Sequence, residues 1–310
     1  MNGLIVINKP PGISSFRALS PIKRMLPKKT KVGHTGTLDP FAEGVLVCLV
    51  GGFTKLASAA LGHEKKYLVT VSLGKQTDTL DPTGITVKEG PVPSEDDLLV
   101  MLDQILPKYH GSICQTPPAY SAIHINGKRA YQLARDGKDF SIPSRDVIIH
   151  QIDCRGIESG EIKLFVHCSS GTYIRSIARD IALDLGTCGY ASQLKRLDAG
   201  GFSLEEAVSL DSTEDIDLSA LLRSDPDVYR RLTGNGIVEI ASSSIYDFLH
   251  GKKISADWFL HQGPDNLSGN QGSSSIFGVY ADSGKFIGQV SLVEGCGLKY
   301  DFVIPNNSTG

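Results

Sequence analysis

Residues Gly33 to Pro40 read Gly-His-Thr-Gly-Thr-Leu-Asp-Pro, continue as Phe41-Ala42-Glu43-Gly44, and run into the apolar stretch Val45 to Val50. Glycines, threonines and an Asp-Pro step predict a loop over 33–40, and the apolar run after it predicts a buried strand. Loops set on a rigid scaffold are where functional side chains are placed. Asp39 is biased towards extended backbone by Pro40 and stands at the mouth of that strand, which makes its carboxylate a candidate nucleophile. The same residues also read as a plain turn, with Asp39 forming it and His34 capping it, and that is the commoner case.

Working outward, Gly3 to Asn8 predicts a strand ending in a turn over Lys9 to Gly12. Ser14 or Ser15 can cap a basic helix reaching Met25, with a kink at Pro21. Tyr67, Val69, Val71 and Leu73 alternate as a half-buried strand, and Val147 to Ile152 and Ile162 to Cys168 alternate as a pair. Ser94 caps a helix over Glu95 to Leu106, and the turn Asn126-Gly127 precedes a helix over Arg129 to Arg135. Thr172 to Leu185 places Ile174, Ile177, Ala178, Ile181 and Leu185 on one helical face. Strands and helices mix without regular alternation, so the fold class is α+β with a large, mostly antiparallel sheet. No internal repeat is evident.

From Asp211 to Asn235 the chain is acidic and poor in pattern, which suits a boundary. Beyond it come a short helix at Ile245 to Leu249, a polar loop at 263–275, and strands at Ile276 to Tyr280, Phe286 to Val293 and Leu298 to Ile304. The expected division is 1–235 and a small β-rich domain at 236–310, the two touching through few contacts.

At 310 residues the chain can bury a large core, and no apolar stretch is long enough to span a bilayer. With no secretory pattern at its start, the expected location is cytoplasmic. Its six cysteines form no Cys-x-x-Cys pair and no zinc spacing, so no metal is expected. Net charge is only −3, yet residues 1–66 carry ten Lys and Arg against three acids, while 203–228 carry eight acids against Arg223. That asymmetry allows a basic face for a phosphate backbone on an acidic protein. Gly51-Gly52-Phe53-Thr54-Lys55 lacks the spacing of a phosphate loop, no dinucleotide fingerprint appears, and a serine-hydrolase elbow is absent.

Gly33 to Gly44 resembles the catalytic loop of the TruB family, the tRNA pseudouridine-55 synthases. Asn8-Lys9-Pro10-Pro11-Gly12-Ile13-Ser14-Ser15 resembles that family's N-terminal motif, and Lys66-Tyr67 with Gly74 to Thr79 resembles its second. Gln115 to Ala122 with Gly127 to Tyr131, Cys168 to Ser176, and Leu194-Lys195-Arg196-Leu197 follow in family order, so the likeness covers about residues 3 to 208. Gly284 to Gly288 is weakly similar to part of a PUA-like C-terminal domain.

The resemblance implies a pseudouridine synthase fold with a PUA-like RNA-binding domain, acting on uridine 55 in the TΨC stem-loop of tRNA. It implies Asp39 as nucleophile, Arg175 pairing with it, Tyr67 and Tyr173 against the uracil, and Leu194 as an apolar wall. His34 would fill the space left by the flipped base. The reaction is an isomerisation, so no cofactor is called for, and a monomer is expected. Lys9, Arg17, Lys23, Lys28, Lys128 and Arg129 are candidate phosphate contacts. The reading from another class is a non-catalytic RNA-binding or tRNA-folding protein on the same scaffold.

Overall fold

The computed structural model describes residues 1–125, 127–209, 217–260, 276–293, 295 and 297–305. Asn126 of the expected turn, the acidic 210–216 segment, the polar 263–275 loop and Cys296 lie outside the described residues.

In chain order the strands of the first region are β1 (Gly3–Lys9), β2 (Val32–His34), β3 (Glu43–Val50), β4 (Lys65–Leu73), β5 (Lys75–Thr77), β6 (Thr86–Glu89), β7 (Gly111–Gln115), β8 (His124–Ile125), β9 (Lys128–Arg129), β10 (Arg145–Glu158), β11 (Glu161–Cys168), β12 (Gly189–Ala199) and β13 (Phe202–Ser203). Nine of them form one sheet whose path runs β1-β3-β12-β4-β11-β10-β7, with β2 added to β3 and β13 to β12. All its pairs are antiparallel except β12 with β3, which sets Lys195 opposite Glu43 and Arg196 opposite Gly44. Gly44 has a φ of +106°, and a Cβ there would meet the Arg196 carbonyl oxygen at 2.2 Å. Only glycine lets the two strands close at this point.

Two short helices, α1 (Ser15–Ala18) and α2 (Ser20–Met25), replace the single kinked helix expected there. The break falls at Leu19, and Pro21 stands in the first turn of α2, where its missing N–H costs no hydrogen bond. The helices that follow are α3 (Ala57–Leu61), α4 (Glu95–Ile105), α5 (Ala130–Arg135) and α6 (Ile174–Asp184). α4 and α6 bury Leu98, Leu102, Ile177 and Ile181 in one cluster with Val69, Val71, Ile162 and Leu164 of β4 and β11. None of the helices is long and apolar enough to cross a membrane among the described residues.

The chain continues through α7 (Leu218–Leu221) and α8 (Pro226–Thr233) to a second sheet. That sheet is β14 (Gly236–Ile240), β15 (Ile276–Ala281), β16 (Phe286–Val293) and β17 (Gly297–Val303), with α9 (Ser242–Leu249) between its first two strands. The expectation of few contacts between the regions is corrected. Leu4, Val47 and Phe53 of the first region share one buried cluster with Tyr229 of α8 and with Tyr280, Phe286 and Ile304. Phe53 and Phe286 meet edge to face at 5.1 Å between centroids, and the Tyr280 hydroxyl donates to the Asp225 carbonyl at 3.1 Å. Polar loops hid this seam from the sequence, because its apolar members are widely spaced along the chain.

Candidate active site

His34 is the last residue of β2, so the expected loop begins two residues later than the sequence suggests. From Thr35 to Ala42 the chain turns back on itself and closes with the Ala42 N–H donating to the Asp39 carbonyl at 3.1 Å. Three buried groups fix this loop. Ser15 donates its hydroxyl to the Leu38 carbonyl and accepts from the Leu38 N–H, both at 2.8 Å. The Arg196 guanidinium donates from Nε to Val45 O at 2.7 Å and from Nη2 to Gly36 O at 3.1 Å. Lys9 Nζ donates to Pro10 O and Ile13 O at 2.8 Å and to Pro40 O at 3.3 Å. Lys9 is fully buried, which corrects the expectation that it meets phosphate. Burial lowers its pKa to about 8 although Asp39 pulls it back up.

Arg175 stands in the first turn of α6, and its side chain is 5 % exposed. Its Nη1 donates to Thr79 O at 2.7 Å and to Asp81 Oδ2 at 3.3 Å, and its Nη2 donates to Tyr120 O at 3.0 Å. The remaining nitrogen, Nε, lies 2.8 Å from Asp39 Oδ2. Its N–H points off the line to that oxygen, so this contact is an ion pair rather than an aligned hydrogen bond. Protein surrounds Asp39 on most sides, yet 33 % of its side-chain surface remains open to solvent. Burial pushes the Asp39 carboxyl above the ordinary range, Arg175 pulls it down again, and Asp81 adds to the rise. An ionised carboxylate can persist there because a cation touches it.

Of the other expected residues, Tyr67 and Leu194 pack against the Asp39 loop. Tyr67 on β4 faces Arg196 across the β4–β12 ladder, and Leu194 on β12 faces Val69. Tyr67 and Leu194 are buried in one cluster with Leu38 and Ala42 of the loop. Burial raises the Tyr67 phenol and keeps it protonated, while the nearby Arg196 charge works in the opposite direction. Tyr173 caps α6 and is pinned at both backbone groups by the Gln115 amide, at 2.8 and 3.1 Å. The Arg145 guanidinium covers one face of the Tyr173 ring at 4.9 Å from its centroid. Burial and the Arg196 charge lower the pKa of His34, whose Nδ1 accepts from Gly36 N–H at 3.4 Å, so its ring is neutral and able to stack.

Of the candidate phosphate contacts, Arg17, Lys23, Lys28 and Lys128 are exposed, whereas Arg129 donates to the Ala122 carbonyl of its own turn. Among the described residues no group of three or more His, Cys, Asp or Glu is placed to hold a metal ion.

Sequence reasoning missed Asp81, Arg196 and Gln115 as parts of the site. Asp81 carried a signal: Thr79-Leu80-Asp81-Pro82 repeats the Thr37-Leu38-Asp39-Pro40 tetrapeptide. Arg196 and Gln115 stood inside motifs already singled out, without a role.

A family model described as "TruB family pseudouridylate synthase (N terminal domain)" matches residues 23–174. A Borreliella burgdorferi protein named tRNA pseudouridine synthase B is 42 % identical over 74 % of this chain and 81 % of its own length. A Treponema denticola protein of the same name is 34 % identical over 98 % of this chain and 99 % of its own. Among solved structures, a chain of an H/ACA RNP bound to a substrate RNA containing 2′-deoxyuridine aligns with a TM-score of 0.65 at 20 % identity, covering 99 % of this chain and 86 % of that one. A chain from an archaeal box H/ACA sRNP Nop10-Cbf5 complex gives 0.64 at 21 % identity, covering 99 % and 87 %. At such identities the likeness speaks for the fold.

Proposed function

Because the chain belongs to the TruB family of pseudouridylate synthases, we propose that it converts uridine 55 in the TΨC stem-loop of tRNA to pseudouridine, with Asp39 as the nucleophile. That it is a tRNA pseudouridine synthase follows from its membership and the names of its relatives. The position rests on the family resemblance of the motifs, and the residue roles rest on that resemblance together with the geometry.

The observation that carries the reading is the pairing of Asp39 with the buried Arg175. Arg175 is held by three other acceptors, so it arrives pre-oriented and keeps the carboxylate charged. The open third of Asp39 is the approach for a nucleotide. In the reaction the N1–C1′ bond breaks, the base turns, and the C5–C1′ bond forms. C5 loses its proton and N1 gains one, so atoms balance with no redox change. A carboxylate can capture the electron-poor centre that this requires, as in glycosidases. Tyr67 and Leu194 supply the apolar wall that keeps water from the separated base. Tyr173 presents its ring face opposite Arg145 to the uracil. His34, neutral and beside the loop, stacks where the flipped nucleotide leaves its neighbours.

Every residue in this account comes from one chain, so a monomer suffices. The boundary falls at 235/236, with the second sheet as a PUA-like unit that extends the RNA footprint. The test is to incubate the purified chain with an unmodified tRNA transcript and map pseudouridine by carbodiimide-dependent primer extension. A single stop at position 55 is expected. A stop elsewhere would overturn the position, and none at all would favour a protein that binds tRNA without modifying it.

A further inference from the structure

A cavity of about 360 Å³ opens beside the N-terminal turn, and none of His34, Asp39, Tyr67, Tyr173, Arg175 or Leu194 lines it. That volume is within the range of small-ligand pockets. Ile13 and Pro21 give it an apolar wall, Asn8 and Ser20 bring an amide and a hydroxyl, and Arg17 and Arg24 stand at its rim. Both arginines are exposed, and neither has an ion-pair partner among the described residues. Residues 1–38 contain seven Lys and Arg and no acid, so nothing local neutralises them. Next to them Phe16 is 68 % exposed, with the Lys23 ammonium 4.0 Å above its ring.

We infer that this cavity is a second nucleotide-binding site, which takes one extruded nucleotide of the RNA in addition to the target uridine. Two unpaired guanidinium groups match a phosphate in geometry as well as charge. A bare anion would have no use for the apolar wall, whereas a base does. An amide such as that of Asn8 can both donate to and accept from a base edge. RNA loops splay single bases into such pockets, and the continuing basic run through Lys28 and Lys29 follows the backbone onward. The inference rests on tRNA being the substrate, and its test reads binding, so it stands apart from whether pseudouridine forms.

The experiment measures the Kd of the full chain for an unmodified tRNA transcript at fixed salt. Ser20→Phe fills the cavity without changing charge, and Arg17→Ala with Arg24→Ala empties its rim; Lys28→Ala with Lys29→Ala removes the same charge outside it. The cavity variants should each weaken binding at least tenfold and more than the Lys pair does. Combining Ser20→Phe with the Arg pair should add less than the product of the two effects, since both remove one interaction. Equal losses for the Arg and Lys pairs, or a silent Ser20→Phe with an unchanged melting temperature, would reduce the cavity to general surface charge and overturn the proposal. Because the Arg pair is exposed, its comparison with the Lys pair still decides if Ser20→Phe misfolds. A second arm titrates uridine and adenosine monophosphate. If Ser20→Phe abolishes their binding while tRNA affinity is unchanged, the site serves free nucleotides and its assignment to RNA fails.

Discussion

Asp39 and Asp81 hold one guanidinium between them: Arg175 Nε lies 2.8 Å from Asp39 Oδ2, and Arg175 Nη1 lies 3.3 Å from Asp81 Oδ2. Each aspartate ends the same Thr-Leu-Asp-Pro tetrapeptide before its proline, yet their surroundings set them to different tasks. Asp81 is 8 % exposed, and besides Arg175 its carboxylate accepts three hydrogen bonds, from Thr79 Oγ1, Thr83 N–H and Thr83 Oγ1. Asp39 is 33 % exposed, and among the described residues its carboxylate contacts Arg175 alone. One carboxylate is held by hydrogen bonds on the buried side of the arginine, and the other keeps a solvent-open face, as the proposed nucleophile requires.

Asp81→Ala should therefore damage folding as well as catalysis. Breaking a buried ion pair by removing one partner costs about 3–5 kcal/mol, because the remaining charge stays buried. Turnover should fall about 100-fold as Arg175 loses its fixed position, since small misplacements act on that scale. Chemical denaturation and single-turnover kinetics check both. Normal kinetics in a destabilised protein would confine Asp81 to a structural role.

The shared aromatic seam predicts that the two sheets unfold together. Phe286→Ala should cost about 3–5 kcal/mol, as large buried truncations do, and lower one cooperative transition rather than splitting it. A chain ended near Thr233 should be poorly soluble, because it would uncover Phe53, Tyr229 and Leu232. A stable, active truncation would show that the seam contributes little.

The raised Asp39 carboxyl has two consequences of opposite sign. Turnover needs the ionised form, so it should fall with acidification at a pH above the ordinary carboxylate value of 3.8. Folding, by contrast, is favoured by the protonated form, so this group's contribution to stability is lost as pH rises from the unfolded value through the folded one. Asp39→Asn should accordingly melt no lower than the wild type near neutral pH. Lys9 works the other way: the folded protein releases its proton from about 8 upward while the unfolded chain holds it to 10.5, so stability rises across that window. A pH series of melting curves on the wild type, Asp39→Asn and Lys9→Met separates the two.

Much of this was legible in the chain and some was not, for physical reasons. β3 announced itself by continuous burial, and β4 and β11 by alternation. β12, an interior strand of the sheet, carries the Leu194 to Leu197 motif but gives no strand pattern in the sequence. Its buried positions include Arg196, and bulges after Ala191 and Arg196 break the two-residue period that marks a strand. Asp39 and Arg175 stand in separately matched motifs, and the fold brings their side chains into contact at 2.8 Å. Lys9 was misassigned because a lysine next to a turn normally faces solvent, and only the fold shows the three carbonyls that receive it.

The most direct test is the turnover of Asp39→Asn on tRNA, with binding measured alongside. The substitution keeps the size of the side chain and removes its charge and nucleophilicity. Single-turnover formation of pseudouridine should fall about 10⁴-fold or more, the scale on which removing one member of a catalytic set acts. The Kd for tRNA should stay within about twofold, since a carboxylate adds nothing to the attraction for phosphate. Near-normal turnover by the folded variant would contradict the assignment of Asp39 as the nucleophile.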